Sequence, residues 1–166
     1  MTGFDALRDR IAESIGVVHR SELGQVRADD FQRFAYACND LDARYLDDEY
    51  ARSQNLPGCI APPMFVSAVM QWGPGPAEDA LRPDGTVLDA TASLPLDGLR
   101  LMGAGQDIEF HSDVVDGDIL HAEVDVASVR LKEGRSGDML IIEIRRRYFH
   151  ADDSPVATCL ETVIAR

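Results

Sequence analysis

The chain has 166 residues, of which 45% are hydrophobic and 27% are charged, values typical of one globular domain and unlike those of disordered or membrane-spanning chains. We therefore expect a single domain over residues 1–166 that needs no membrane. The net charge of −13 creates a field that repels phosphates, which argues against nucleic acid or an anionic lipid surface as a partner.

The N-terminal residues 1–14 place acidic residues and arginines at helical spacing, without the continuous apolar stretch that a signal peptide needs. We therefore expect a cytoplasmic protein. The three cysteines, Cys38, Cys59 and Cys159, are far apart in the sequence and form no C-x-x-C pair, which favours neither a disulfide framework nor a zinc site. We expect them to be small buried hydrophobic residues, and we expect no metal.

Two helices are predicted in the first third of the chain. Phe31, Phe34, Ala35 and Cys38 follow one another at i, i+3, i+4 and i+7, which places them on one face of a helix. A second, short helix is predicted over residues 47–54, because acidic residues open this segment and an arginine comes near its end, matching the helix dipole.

An apolar run at residues 64–72 predicts a third helix, buried and with Pro62 and Pro63 near its start, where the missing backbone donor of proline is tolerated. A strand is the alternative, since short apolar runs do not distinguish the two by periodicity. The residues that follow, 73–85, are rich in proline and glycine and predict a surface loop.

From residue 94 onward the hydrophobic pattern alternates with period two and is interrupted by polar turns, which predicts long strands joined by hairpins. The predicted strands cover residues 105–115, 119–134, 139–151 and 156–165. Three successive hairpins indicate an antiparallel meander. The fold class expected is α+β, with the apolar helix covering one face of the sheet and the other face partly in water.

The segment 37–65 reads ACNDLDARYLDDEYARSQNLPGCIAPPMF. It resembles the MaoC-like family of (R)-specific enoyl-thioester hydratases and dehydratases, and with its APPMF ending it is similar to the branch called the MaoC dehydratase N-terminal or FAS1-like dehydratase domain. The later stretch GQDIEFHSDVVDGDIL, at 105–120, extends the resemblance, which runs from about Leu23 to the end of the chain. The resemblance implies the hot-dog fold, a long curved antiparallel sheet wrapped around one apolar helix.

The family signature is Asp, any residue, Asn, Pro, an aliphatic residue and His, with a further Asp two residues later and an Ala four beyond that. In this chain Asp40 takes the first position, Tyr45 stands in place of the histidine, and Asp47 and Ala51 match. The Asn, Pro and aliphatic positions hold Asp42, Ala43 and Arg44. At the start of the central helix, the family sequence Ile-Ala-His-Gly is represented by Ile60, Ala61, Pro62 and Pro63.

The resemblance implies Asp40 as the catalytic base and Tyr45 as its proton-donating partner. A phenol has a pKa near 10 and donates a hydrogen bond well, but it is a poor base at neutral pH. The family glycine at the helix start offers its backbone N–H to the substrate oxyanion, and Pro63 has none to offer. The next amides, of Met64 and Phe65, are the substitutes we expect to bind the substrate, and a chain lacking both groups is expected to be slow or silent alone.

Three functions follow from the resemblance and stay open at this point. The first is an acyl-thioester hydratase or dehydratase component that acts on a 2-enoyl or 3-hydroxyacyl group, with coenzyme A as part of the substrate and no separate cofactor. The second is a catalytically silent hot-dog subunit that binds the acyl chain and stabilises an active partner. The third is an acyl-CoA thioesterase. Hot-dog units of this family work in pairs, so a homodimer or a heterodimer with another hot-dog subunit is expected.

Two basic clusters stand out in this acidic chain. One contains Arg130, Lys132 and Arg135, and the other is the run 145–147, in which Arg145 and Arg147 are the residues expected to hold the phosphates of coenzyme A. The alternative is that these charges are solvated strand edges, which commonly discourage strand aggregation.

The histidines carry weaker expectations. We expect His111 to be an ordinary histidine at a strand edge, and His121 and His150 to lie on the solvated surface.

Overall fold

The computed structural model describes residues 3–73, 75, 77–81, 85, 94–96, 98–134 and 137–166. Five strands form one antiparallel sheet in the order β1-β3-β4-β5-β2. They are β1 His19–Gln25, β2 Leu101–Phe110, β3 Ile119–Lys132, β4 Met139–His150 and β5 Pro155–Ala165. With the helices described next, this confirms the predicted α+β class.

In the described residues, five α-helices accompany the sheet. They are α1 Gly3–Ala12, α2 Ala28–Cys38, α3 Ala43–Leu46, α4 Asp48–Ser53 and α5 Phe65–Ala68, and short 3-10 turns follow at Met70–Trp72 and Glu78–Ala80. The predictions of α2 and α4 from periodicity and charge are confirmed. Within the described ranges, no helix is long and apolar enough to cross a membrane.

One face of the sheet carries the core, and we call it the inner face. Alternate residues of β4 are buried on it, from Leu140 to Tyr148. Under α2 and α5 the core contains Phe31, Phe65 and Tyr148, whereas under α1 it contains Ile11 with its neighbours on β3 and β4. Each fully buried large apolar side chain contributes roughly 1.5–3 kcal/mol, so both ends of the inner face are needed to hold the helices in place.

The predicted meander is wrong at its first hairpin. Strand β2 pairs with β5, where Phe110 lies opposite Ala157, and not with β3. The connection between β2 and β3 spans residues 111–118, too long for a tight hairpin, and the carbonyl of Val114 in it accepts a hydrogen bond of 2.7 Å from the Ala61 N–H. The chain therefore crosses from one side of the sheet to the other. This crossing is what brings segment 60–63 next to the end of β2.

The predicted long apolar helix is also wrong in extent. Only Phe65–Ala68 form an α-helix, and the chain leaves it at Val69, which has φ −120 and ψ −61. The start at Met64 lacks a side-chain cap, and the β-branched residues Val66 and Val69 lower helix propensity. Packing of Phe65 and Val66 into the core thus holds a single turn, and α1 covers the other end of the inner face.

Candidate functional site

The segment that carries the family motif folds into α3 and α4, and a motif carboxylate caps each helix. Asp42 accepts a hydrogen bond from the Arg44 N–H at 2.9 Å, and Asp47 accepts one from the Tyr50 N–H at 2.9 Å. The guanidinium of Arg44 also lies 2.7 Å from the Asp42 carboxylate, and hydrogen bonding to Arg44 lowers the pKa of Asp42. Both carboxylates therefore hold the backbone on either side of Tyr45.

Tyr45, which stands at the histidine position of the motif, is 5% exposed and packs with Ala35 and Ile60. Burial raises its pKa above the ordinary value of 10.0, and the charge of Asp40 adds to this effect. The phenol is therefore protonated at neutral pH and acts as a hydrogen-bond donor. Within the described part of the chain the hydroxyl makes no hydrogen bond, and Tyr45 lines a cavity.

A cavity of about 120 Å³ lies beside Tyr45. Its walls are mostly apolar and come from segment 60–63, from the turn of α5, from the ends of β2, β4 and β5 and from the connection 111–118. The residues that form these walls are Ile60, Ala61, Pro62, Pro63, Val66, Ile108, Phe110, Val114, Tyr148, Val156 and Ala157. The polar residues that line it are Arg44, Tyr45, Ser67, Ser112 and Asp113. An apolar cavity with a few polar groups suits a small ligand that has one polar end.

Asp40, the predicted base, is exposed and lies outside the cavity lining. It is nevertheless close enough for its charge to raise the pKa of Tyr45. Asp113, which the sequence did not single out, lines the cavity and raises the pKa of Tyr45 as well. In the described ranges neither carboxylate has an ion pair or a side-chain hydrogen bond. The signal that could have revealed Asp113 is the polar triplet 111–113, which interrupts an alternating strand.

The two amides that we considered as substitutes for the family glycine, those of Met64 and Phe65, lie at the start of α5. The N–H of Phe65 donates to the Pro62 carbonyl at 2.9 Å, and the Phe65 ring packs edge-on against Phe31 at 6.1 Å. Phe65 is thus committed to the core. The N–H of Met64 has no acceptor in the described ranges, but its side chain lines a neighbouring cleft, not this cavity.

Arg145 and Arg147 lie on the outer face of the sheet, opposite the cavity. Successive residues of a strand point to opposite faces, and Tyr148, the neighbour of Arg147, lines the cavity. Arg145 contacts Asp125 at 2.5 Å, and Arg147 contacts Asp125 at 3.3 Å and Glu123 at 3.2 Å. The structure does not bring these arginines together with Tyr45, and their role in holding phosphates stays a prediction.

The second basic cluster is further away. Arg130 and Lys132 are exposed near the end of β3, and Arg135 lies outside the described residues. Lys132 is ten residues along β3 from Ala122, which pairs with Tyr148, and this corresponds to roughly 30 Å of strand.

The expectation that His121 and His150 lie on the solvated surface is wrong. His121 is 2% exposed, stacks on Phe149 at 5.2 Å and lies 3.3 Å from a carboxylate oxygen of Asp153. The side chain of His150 is 20% exposed and faces Ser112 at the cavity. Their polar neighbours in the sequence gave no hint of this, because the contacts come from residues far away along the chain.

The chain matches one family model, described as "FAS1-like, dehydratase domain region", over residues 13–159. A search of curated protein sequences finds no significant match.

Solved structures with similar folds include the ChsH1-ChsH2 complex from Mycobacterium tuberculosis, with a TM-score of 0.78 and 18% identity, over 98% of this chain and 92% of that one. The C-terminally truncated HadBC (3R-hydroxyacyl-ACP dehydratase) complex from the same organism has a TM-score of 0.69 and 22% identity, covering 91% and 96%. The (R)-hydratase from A. caviae involved in PHA biosynthesis has a TM-score of 0.64 and 21% identity, covering 90% and 94%. These likenesses confirm the predicted hot-dog fold.

Proposed function

Because this chain belongs to the FAS1-like dehydratase domain family, within the MaoC-like hydratases and dehydratases, we propose that it is a component of an acyl-thioester hydratase or dehydratase. Its substrate is a thioester in which coenzyme A carries a 2-enoyl or 3-hydroxyacyl group. The observation that carries the proposal is that Tyr45, at the histidine position of the motif, borders an apolar cavity next to the carboxylate of Asp113.

The chemistry asks for three groups around the enoyl thioester. A base removes a proton from water as its oxygen bonds to the β-carbon, an acid protonates the α-carbon, and a donor stabilises the negative charge on the thioester oxygen. Because its pKa is raised, the phenol of Tyr45 keeps its proton at neutral pH. Tyr45 also lines the cavity in which this proposal places the substrate. Asp40 is the base in this proposal, and Asp113 is the second carboxylate at the site.

The second candidate function is the silent subunit that binds the acyl chain for an active partner. Two observations favour it: Asp40 lies outside the cavity lining, and none of the cavity-lining residues within the described ranges is a histidine. Two similar structures are complexes, ChsH1-ChsH2 and HadBC. In this version a second hot-dog subunit supplies the proton transfers, and the cavity of this chain receives the acyl group.

Both candidates include pairing with another hot-dog unit, the same chain or a different one. The edge strands β1 and β2 each have one side without a partner strand in the described sheet, and an exposed edge of this kind pairs readily with another chain. Phe110, at the end of β2, is 47% exposed next to the cavity. We place the joined edges at β2, and light scattering at micromolar concentration should give the mass of a dimer. A stable monomer would contradict this.

The test of function compares hydration of crotonyl-CoA by the purified chain alone and by any complex that co-purifies with it. If Asp40 and Tyr45 are catalytic, Asp40→Asn and Tyr45→Phe each lower the rate by about a hundredfold or more, whereas Asp29→Asn, at an exposed site on α2, leaves it unchanged. A lower rate in Asp113→Asn would show that the second carboxylate takes part in the reaction. If the complex is active and all three substitutions leave its rate intact, the silent-subunit function is correct.

A further inference from the structure

A serine, a histidine and an aspartate form a chain of contacts that ends in the cavity. Ser112 lines the cavity, and its Oγ lies 3.1 Å from Nε2 of His150. On the other side of the imidazole, Nδ1 lies 3.7 Å from a carboxylate oxygen of Asp118, an ion-pair distance longer than a hydrogen bond. The order hydroxyl, imidazole, carboxylate is that of an activated nucleophile, its base and the group that orients the base.

The fold fixes all three residues through the backbone. Ser112 lies two residues after the end of β2, and its N–H donates to the Val156 carbonyl on β5 at 3.3 Å. Asp118 ends the turn before β3, where it accepts a bond from the Val115 N–H at 2.8 Å. His150 is the last residue of β4. Pairing of β2, β5 and β4 therefore aligns residues that are 38 positions apart in the sequence.

The hydroxyl of Ser112 has two acceptors to choose from. It lies 2.9 Å from the Pro155 carbonyl as well as 3.1 Å from Nε2 of His150. The Asp118 carboxylate lies on the Nδ1 side of the ring, and an imidazole that carries its proton on Nδ1 accepts a hydrogen bond at Nε2. A rotation about the Ser112 side chain moves its proton from the carbonyl to the imidazole. The hydrogen bond to the Pro155 carbonyl explains a hydroxyl at position 112. It does not explain why an imidazole lies next to that hydroxyl.

We propose that Ser112, His150 and Asp118 form a hydrolytic triad, which gives the chain a thioesterase activity on acyl thioesters held in the cavity. The inference rests on the proposed function only in taking an acyl thioester as the ligand. It goes beyond that function because hydrolysis needs no double bond in the acyl group.

The reaction uses water as its only other reactant. His150 takes the proton from Ser112 as Oγ bonds to the thioester carbon, and the negative oxygen that forms accepts a hydrogen bond from the free hydroxyl of Tyr45. The C–S bond then breaks, and His150 gives its proton to the departing thiolate. Water next attacks the ester carbon and loses a proton to His150, the bond to Oγ breaks, and Oγ takes that proton. The products are a carboxylic acid and a free thiol.

The experiment uses butyryl-CoA, a saturated substrate that cannot be hydrated, and measures release of the free thiol. The full chain, with any subunit that co-purifies, should release thiol, and Ser112→Ala and His150→Gln should each lower the rate by about a hundredfold or more. Asp118→Asn keeps an oxygen for the Val115 N–H and should give a partial loss. The matched control is His111→Gln, since His111 is exposed and its ring bonds to Thr158.

Labelling tests the nucleophile without any variant. An alkyl fluorophosphonate should add once to the wild-type chain, and mass analysis of peptides should place the adduct on Ser112. Absence of thiol release above the spontaneous rate, an unchanged rate in folded Ser112→Ala, or an adduct on another residue would each overturn the proposal. Thiol release from butyryl-CoA and hydration of crotonyl-CoA are separate readouts, so the triad and the hydratase function fail independently.

Discussion

Arg145 donates two hydrogen bonds to Asp125, from Nε at 3.1 Å and from the terminal nitrogen at 2.5 Å. The carboxylate is 1% exposed although it lies on the outer face of the sheet, and Arg147 approaches it from the other side at 3.3 Å. Two guanidiniums thus compensate one buried charge. The arrangement ties β3 to β4 at their middle.

The first prediction is that Asp125→Asn lowers the free energy of unfolding by about 2 kcal/mol, because the buried carboxylate loses its charge-assisted hydrogen bonds from two arginines. The matched control is Glu123→Gln. Glu123 is partly exposed and forms an ion pair with Arg147, so its loss should cost about 1 kcal/mol or less. Urea unfolding of both variants measures the difference. Equal losses would show that Asp125 has no special role.

The second prediction concerns the phosphates of coenzyme A. If Arg145 and Arg147 hold them, the double change to Gln weakens binding of an acyl-CoA, and the loss shrinks as salt is added. The same acyl group on N-acetylcysteamine carries no phosphate, and its binding should be unchanged. Calorimetry on folded protein compares the two ligands. Equal affinities before and after the change, for both ligands, would mean that the arginines only stabilise the sheet and that the nucleotide binds at another site.

A third prediction follows from the buried Tyr148, which donates a hydrogen bond to Gln71. Burial raises the pKa of this phenol above its ordinary value of 10.0. The folded state therefore favours the neutral phenol, and this contribution to stability is complete below pH 10 and is lost as the pH rises above it. The loss amounts to at most about 1.4 kcal/mol per pH unit.

Urea unfolding between pH 8 and 11, a range of about three units around the ordinary phenol pKa, tests this expectation. Tyr148→Phe should lower stability by about 1 kcal/mol at pH 8, because Gln71 loses its partner, and should make the decline above pH 10 less steep. Tyr36→Phe is the control, since Tyr36 is 65% exposed. An identical alkaline decline in wild type and Tyr148→Phe would contradict the burial effect.

Local patterns predicted much of the fold because they depend on neighbouring residues. The face of α2 and the extents of β3, β4 and β5 follow from periodicity. Strand β1 was missed because its sequence, HRSELGQ, is polar on both faces, and it lies at the edge of the sheet with nearly every residue exposed. The partner of β2 was missed because strand order is a long-range property that a polar turn at 111–118 does not encode.

The candidate site divides in the same way. Tyr45 was found because a motif of fixed spacing surrounds it, and strand parity alone could have separated Arg147 from its cavity-lining neighbour Tyr148. Ser112 and His150 meet only because β2 pairs with β5 and β5 with β4. Because the predicted strand order was wrong, the contact between Ser112 and His150 could not be predicted. Tyr45 could be found without the strand order, since the motif that marks it is local in the sequence.

The last prediction asks whether the two departures from the family motif explain the expected low activity of the chain alone. Tyr45→His puts back an imidazole beside the cavity, and Pro63→Gly puts back a backbone N–H at a position that already lines it. Pro63 is exposed, so its replacement disturbs little packing, whereas Tyr45 is buried and its replacement needs a check of the melting temperature.

We expect the double variant to hydrate crotonyl-CoA at least a hundredfold faster than the natural chain, since each restored group contributes about two powers of ten or more. Each single variant should fall between the two, and Pro57→Gly, outside the cavity lining, serves as the control for added backbone freedom. If the natural chain alone already turns over at an ordinary rate of about 1 to 1,000 per second, neither the missing imidazole nor the missing amide limits it, and Asp40, Tyr45 and Asp113 suffice.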